Sequence, residues 1–565
     1  MERLLTRRRF VRGAAAAAGS TLVLGPSALA GTRLSRLAAA SDVRFTQGVA
    51  CGEPGTRAIT LWTHLDGLTS SAKLDVEVAL DAQFARTVVR TSAVALPDDG
   101  GSARVRLSGG GLQPSEQYWY RFESRDGSSP IGRFRTLPPA DSREPIRIAF
   151  FSCQEYIAGW YHAHADLADR DDLDLVVCLG DYIYERAFAD QASVSQPVRT
   201  DTTAPDGETQ TLAEYRRKYA LHHSDANLIA VRQRFPLAAI WDDHEVEDNY
   251  ADGLPGGATT NRRVPFAERK ANGYRAFFES MPRLRNAQER DRTYGSLRVG
   301  GVELFFLDSR QYRDDQPCNP SDAALSQPCA PATTDDPSRT LLGAAQKTWL
   351  KDALRRSTGR WKLIANQVMA MSLDAPPRNT LNTDAWDGYA AERAELVDHL
   401  GRYGISNVAF VTGDIHTFFA GNVTRTGRQT VRGESTSPLD GPPRATEFVT
   451  GSITSPGIVD RAASEEAARL LVAAAADALV LGNNPHMTYA NQAYKGYGIV
   501  EARPDQLLVE LRAVHDTRKA QSSTFSLRRF RVRSGVARVE DLGGPIPLPE
   551  AAPPGPLPTP QLPLP

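Results

Sequence analysis

Four short polar segments, each directly behind an apolar run, constrain this chain more than any other feature. IRIAFF leads into Ser152-Cys153-Gln154, and LDLVVCLG into Asp181-Tyr182-Ile183-Tyr184-Glu185. FPLAAIW leads into Asp242-Asp243-His244-Glu245, and NVAFVTG into Asp414-Ile415-His416. Runs that are apolar at nearly every position read as strands covered on both faces. Ligand-type side chains delivered from the ends of several core strands are how an α/β fold assembles a metal site. The pattern therefore points to a hydrolase that uses two or more metal ions.

The 565 residues imply more than one domain. Over residues 42–137, short alternating stretches (ITLWTHL, KLDVEVAL, SARVRLSG, YWYRFES) are separated by turn sequences such as LPDDGG and LSGGG. This spacing predicts a small all-β, Ig- or fibronectin-like sandwich. Leu137-Pro138-Pro139 reads as a short stiff linker. From Pro145, apolar strands alternate with helical stretches, which predicts a layered α/β domain over 145–535. Long loops at 189–210, 250–264 and 314–340 interrupt it, and loops of that length border a site or a lid. SEEAARLLVAAAADALVLGNN reads as a helix near the sheet edge. The segment 543–565 is Pro-dominated and reads as an extended tail without a core.

At the N-terminus, Arg7-Arg8-Arg9-Phe10-Val11 precedes a weakly apolar, Ala-rich run and then Ala28-Leu29-Ala30. Residues 1–30 are thus predicted to be a cleaved export signal of the twin-arginine type, read by the twin-arginine translocase. The other reading is an N-terminal membrane anchor. The twin-arginine route carries proteins already folded, which suits a metal loaded inside the cell. No other segment is apolar and long enough to span a bilayer. The expected location is periplasmic, extracellular or cell-surface. A net charge of −1 gives no global field toward nucleic acid, so no nucleic-acid binding is implied.

Five cysteines include no CxxC pair, which argues against a structural zinc knuckle. Cys318 and Cys329 flank a Pro- and Ser-rich loop and are expected to form a local disulfide after export. Cys178 lies inside VVCLG and reads as core. Cys153 closes a strand in line with three acidic strand ends, which makes it a candidate thiolate ligand.

Asp181 stands at a strand end, where a carboxylate can bridge two cations or merely cap a helix. A tight turn would bring the Tyr184 phenol to the same ion. Trp241 to Asn249 packs five carboxylates and His244 into nine residues, a density that repels itself unless cations neutralise it. Asp414 and His416 offer an oxygen and a nitrogen. Arg310, in Asp308-Ser309-Arg310-Gln311-Tyr312, is read as a phosphate clamp or as a structural partner of an Asp. Asn366 either faces the site or caps a helix. His222-His223 reads as a solvated helix face, His162 and His164 have no assigned role, and His486 is a candidate cleft residue.

SCQ, LGDYIYE, WDDHEVEDNYA, LDSRQYR, ANQVM and TGDIH stand in the order, and with the wording, of the motifs of the PhoD-like alkaline phosphatases, members of the calcineurin-like metallophosphoesterase superfamily. FTQGVACGEP…ITLWTHL resembles the β domain that precedes their catalytic domain. The resemblance covers residues 42–530. It implies an αββα metallophosphoesterase sandwich behind a small all-β domain. It also implies that Cys153, Asp181, Tyr184 and His416 bind a ferric ion (Fe3+). Asp181 would bridge to calcium (Ca2+), completed by Asp243 and Asp414, with Asp248 and Asn249 holding a further calcium. His244 would contact the phosphate and protonate the leaving oxygen. Asp243 stands where many superfamily members have Asn, Asp248 where Asn is expected in some relatives, and Cys51-Gly52-Glu53-Pro54 replaces the more usual Ser-Gly-Asp-Pro.

The implied reaction is hydrolysis of a phosphomonoester, a phosphodiester or both by in-line attack of a metal-activated hydroxide. A second enzyme reading is a specialised phosphodiesterase of phospholipase type. A non-enzyme reading is a secreted calcium-binding module, which leaves Cys153, Tyr184 and His416 at strand ends unexplained.

Overall fold

The computed structural model describes residues 45–544 apart from 126, 187–196, 205–206, 257–260, 319–328, 330, 376–378, 427–440 and 463–465. The expected export signal, parts of the three long loops and the tail beyond 544 lie outside the described residues.

Seven strands build the N-terminal domain. β1 (Val49–Gly55), β2 (Ala58–His64) and β5 (Ser102–Ser108) form one sheet in that order. β4 (Thr87–Ala95), β3 (Ala72–Ala79), β6 (Gln117–Glu123) and β7 (Gly132–Arg135) form the other. The alternation seen in the sequence is the cause. Leu74, Val76 and Val78 point into the sandwich with Tyr118, Tyr120 and Phe122, while Asp75, Glu77 and Arg121 point out.

The next sixteen strands are β8 (Ile146–Phe151), β9 (Leu175–Cys178), β10 (Leu237–Ala239), β11 (Gly295–Val299), β12 (Val302–Phe306), β13 (Trp361–Asn366), a small hairpin of β14 (Asp374–Ala375) and β15 (Asn379–Thr380), β16 (Val408–Thr412), β17 (Phe418–Val423), β18 (Ala445–Val449), β19 (Met487–Asn491), β20 (Lys495–Ala502), β21 (Gln506–Val514), β22 (Thr524–Arg533) and β23 (Glu540–Gly543). Fourteen of them make two seven-stranded sheets. One runs β10-β9-β8-β20-β21-β22-β23, with β8, β9 and β10 parallel; the other runs β11-β12-β13-β16-β18-β17-β19, with β12, β13, β16 and β18 parallel. β23 carries the first sheet past the expected domain end at residue 535.

The period-2 pattern shows how the sheets stack. Ile148 and Phe150 of β8, Leu175 and Val177 of β9, Leu363 and Ala365 of β13 and Ala409 and Val411 of β16 share one buried cluster between the sheets. Their neighbours Phe151, Val176 and Cys178 pack outward against the helices His162–Ala168, Leu212–His222, Ala226–Arg234 and Phe266–Ser280. Ile364 and Phe410 pack outward on the other side, against the helices Gly343–Arg356 and Ala390–Arg402. Both faces of the central strands are covered, which is why they read as unbroken apolar runs. The result is the expected α/β/β/α layering.

The N-terminal domain sits firmly on this body. The Trp62 indole donates to the Glu279 carbonyl at 2.8 Å, and the Arg232 guanidinium lies over its ring. His222 and His223 depart from expectation here: both are buried, not solvated. His223 Nδ1 meets Gln47 Oε1 at 2.8 Å and its ring packs edge-on against Trp62 and Tyr182. The N-terminal domain thus covers His223, while Tyr156 of the catalytic domain packs against His222, and periodicity within the helix shows neither cover. Leu137, expected in a linker, is buried in the core between the sheets. The Cys318–Cys329 disulfide forms as expected, and Cys178 is buried core.

Candidate metal centre

Cys153 follows β8, Asp181 follows β9, Asp243 follows β10 and Asp414 follows β16. The parallel blocks of both sheets end at one rim, so four segments far apart in sequence meet there. Two glycines permit the approach. A side chain on Gly180 would strike Asp242 Cβ at 2.5 Å, and one on Gly413 would strike Ser152 Oγ at 2.5 Å. The backbone is strained at the same place. Cys153, Asp181, Asn249, Asp414 and His416 adopt positive φ of 59°, 54°, 59°, 66° and 57°. Each costs about 1–3 kcal/mol for a residue with a side chain, and such strain persists at functional sites where the surrounding fold over-determines it.

The first corner of the site holds the softer donors. Cys153 Sγ, a carboxylate oxygen of Asp181 and a ring nitrogen of His416 lie within 4.8 Å of one another. The Tyr184 hydroxyl joins them, donating to Asp181 Oδ2 at 2.9 Å and lying 3.3 Å from His416 Nε2. His416 Nδ1 lies 2.9 Å from the Pro456 carbonyl, an acceptor only. That bond puts the proton on Nδ1 and leaves Nε2 facing the cluster as a base. Ser455 Oγ lies 2.7 Å from Tyr184 Oη and 2.9 Å from the Cys153 carbonyl, within hydrogen-bond reach of both, tying phenol and cysteine loop together.

The second corner is made of carboxylates. Asp181, Asp243 and His244 also fall within 4.8 Å of one another, so Asp181 belongs to both groups. Arg310 is fully buried behind this corner. It pairs with Asp242 and, at 2.8 Å, with Asp384, while its Nη2 stands 3.6 Å from both Asp243 Oδ1 and Asp414 Oδ1. The geometry is that of the structural Arg–Asp partner rather than of an exposed phosphate clamp. Asp248 pairs with Arg186 at 2.7 Å, and the Asn249 amide donates to Asp243 Oδ2 at 2.7 Å.

The His244 ring stacks on Tyr184 with centroids 4.1 Å apart. Its Nδ1 pairs with Glu185 Oε2 at 2.7 Å. Burial disfavours a charge on this imidazole, but Glu185, Asp243 and Asp181 outweigh burial and hold its pKa well above the usual value.

The donors fit cations. Asp181 Oδ1 and Asp243 Oδ1 are buried carboxylate oxygens that accept no hydrogen bond, and of the two Asp243 Oδ1 has the Arg310 guanidinium 3.6 Å away. An orphaned anionic oxygen in the interior is costly unless a cation faces it. Burial, reinforced by Asp243, Asp242 and Glu245, pushes Asp181 well above the carboxylate range, and burial with Asp242 and Asp384 does the same to Asp414. Burial also raises the Cys153 thiol and the Tyr184 phenol. Thiolate, phenolate, imidazole and carboxylate together suit a ferric-like ion, and the carboxylate-rich corner suits an oxygen-preferring divalent cation.

Several further residues position the site or its surroundings through their hydrogen bonds. Glu245 accepts the amides of Asp181, Tyr182 and Asp242 and so staples the second segment to the third, although burial pushes its pKa to about 8. Glu447 accepts the Ala370 and Met371 amides and the Thr412 hydroxyl, fixing the end of β16. His164 holds Gln154, whose amide reaches the Tyr182 carbonyl. The Asn366 side-chain amide donates to the Val368 carbonyl and its oxygen accepts from the Trp386 indole, so its hydrogen bonds go to the loop behind β13 rather than to a helix end. His486 is buried against the Ser372 carbonyl. Glu245 stood in plain view within a dense acidic run; the others act through contacts distant in sequence.

Comparison with known proteins agrees with this geometry. The family model of the PhoD-like phosphatase matches residues 148–511, and that of the PhoD-like phosphatase N-terminal domain matches residues 31–138. Alkaline phosphatase D of Bacillus subtilis (strain 168) is 34% identical over 529 residues, covering 90% of this chain and 84% of its own. A solved structure of PhoD superposes with a TM-score of 0.77 at 30% identity, over 90% of this chain and 93% of that one. Matched in both domains and along nearly its whole length, this chain belongs to the PhoD-like phosphatase family and is a metal-dependent phosphoester hydrolase.

Proposed function

We propose that this chain is an exported phosphoesterase that acts on phosphomonoesters, phosphodiesters or both at a mixed iron–calcium centre. The observation that carries the reading is the convergence of Cys153, Asp181 and His416 within 4.8 Å, with Tyr184 against two of them. Cys153, Asp181, Tyr184 and His416 would hold the ferric ion. Asp181, Asp243 and Asp414 would hold calcium, with Asn249 and Asp248 beside them. Such ions acidify a water and neutralise charge on the phosphoryl oxygens.

The chain's own residues do the rest. Asp181 ties the two corners into one rigid unit. Pro456 and Ser455 aim the imidazole and the phenol. Glu185 keeps His244 protonated on Nδ1 and holds its ring plane against Tyr184. The opposite nitrogen, Nε2, is then placed to donate a proton to the departing alkoxide and to keep a positive charge beside the phosphate. Arg310 neutralises the acids behind the site without competing for the ester.

Export rests on the arginine-rich start and the Ala28-Leu29-Ala30 site. Among the described residues, no helix is long and apolar enough to cross a membrane. The test is turnover of p-nitrophenyl phosphate beside bis-p-nitrophenyl phosphate, before and after chelation. Hydrolysis of at least one ester, lost on chelation and regained with iron and calcium, is the expected result. No turnover of either ester with both metals restored contradicts it.

A further inference from the structure

The helix Glu466–Asn483 is apolar on two sides: Leu470, Ala473, Ala476, Val480 and Leu481 pack on the protein, and a second apolar stripe faces away from it. Of its residues only Ala473 is fully buried. Two polar side chains also tie it to the protein: Arg469 reaches the Ala493 carbonyl and Asp460, and Asp477 Oδ1 accepts the Gln492 amide at 3.1 Å. The face turned outward carries Leu471, Val472, Ala475, Ala478 and Leu479, with Leu471 74% and Leu479 55% exposed. A surface helix normally turns its apolar stripe to the core. A continuous uncharged stripe facing out marks a surface that something covers.

The chain supplies a matching segment. Residues 545–565 contain Ile546, Leu548, Leu557, Leu562 and Leu564 and a single charge, Glu550. Ten prolines in that stretch favour an extended polyproline II rod, already low in entropy and therefore cheap to dock. At ~3.1 Å per residue the segment reaches ~65 Å, whereas an 18-residue helix is ~27 Å long. It also starts in the right place. Gly544 lies against the Leu527 carbonyl, two residues along β22 from Phe525. Phe525 packs edge-on against Tyr494, which in turn packs on the Ala473 cluster under the helix. β19 touches both that helix and β23, the last described strand.

We propose that residues 545–565 fold back along the helix Glu466–Asn483 and cover its outward apolar face. The occupant is this chain's own tail, not a lipid surface or a second copy. The full chain is compared with a chain ending at Gly544 by binding of an apolar-surface dye (ANS). The expected result is a several-fold rise in dye signal on truncation that Leu471→Asp/Leu479→Asp removes. Independently, Leu479→Cys/Leu548→Cys in the full chain is expected to form a disulfide within monomers under mild oxidation. Equal dye signals for the two chains, together with no intramolecular disulfide, overturn the proposal. So does capture of the full chain by phosphatidylcholine vesicles, or its self-association, when Leu471→Asp/Leu479→Asp abolishes it.

Discussion

The two corners of the site solve the same electrostatic problem in different ways. At the Cys153–Tyr184–His416 corner, positive charge comes from the His244 ring stacked on Tyr184. The hydrogen-bond partners beyond the cluster are neutral: the Ser455 hydroxyl, the Pro456 carbonyl and Ser152. At the Asp243–Asp414 corner, Arg310 already stands 3.6 Å from both carboxylates, so much of the negative charge is balanced by the protein. On the proposed assignment, the first corner would depend on a bound ion for both charge and shape. The second would keep its shape through Arg310 and use its ion for chemistry. Asp181 belongs to both, which makes it the most sensitive position in the molecule.

The largest effect that can break this contrast is expected at that shared residue. Asp181→Asn should remove iron and activity together. A loss of kcat/KM on the order of 10³-fold corresponds to the several kcal/mol of charge stabilisation a metal centre supplies. Metal analysis beside ester turnover checks it, and retention of both would place the bridge elsewhere.

Next is Arg310→Met. It strips the counter-charge from buried Asp242, Asp243, Asp384 and Asp414, and removing one partner of a buried ion pair costs ~3–5 kcal/mol. Thermal unfolding should show the loss, and calcium should restore more of it in the variant than in the parent. An undiminished Tm would mean that the second corner does not rely on its guanidinium.

Tyr184→Phe sharpens the contrast from the other side. It deletes the oxygen proposed as a ligand and keeps the ring, so a ~10–100-fold drop in activity or metal affinity is expected. The visible absorption of a phenolate–iron pair should vanish with it. Unchanged colour would remove Tyr184 from the centre.

The smallest effect lies outside both corners and sets the baseline for acid sensitivity. Glu214 closes a capping box with Thr211 and pairs with Arg263 at 2.7 Å. Burial raises its pKa, but the Arg263 contact and the Thr211 and Gln210 amides outweigh this and bring it to about 2, below the usual 4.5. A depressed acid stabilises the fold above its unfolded pKa and loses that contribution as pH falls from about 4.5 toward 2. Glu214→Gln should cost about 1 kcal/mol at pH 7, after allowing for solvent, and almost nothing near pH 2. Denaturant midpoints at the two pH values measure it.

Much of this was legible in the chain. Strands covered on both faces announce themselves as unbroken apolar runs, and the residue behind each run is placed at one rim by the parallel order of the sheets. Cys153, Asp181, Asp243 and Asp414 were visible for that reason. Tyr184 was visible because three residues suffice for a turn back to Asp181. What was not legible depends on partners distant in sequence. His223 is buried because another domain lies over it and His222 because Tyr156 packs against it, and a helical period carries no information about either. The choice between clamp and structural partner for Arg310 turned on Asp242 and Asp384, about seventy residues to either side. Glu447, Ser455 and Pro456 follow ordinary strand or loop sequence and gain their roles only when two sheet edges meet.

One measurement bears on all of it: the iron content and visible spectrum of protein made through its native export route, beside the Tyr184→Phe variant. Iron equimolar with the chain, and a charge-transfer band that the variant lacks, is the expected result. A colourless, iron-free preparation that still hydrolyses phosphoesters at full rate would contradict the convergence of sulfur, phenol, carboxylate and imidazole on one ion.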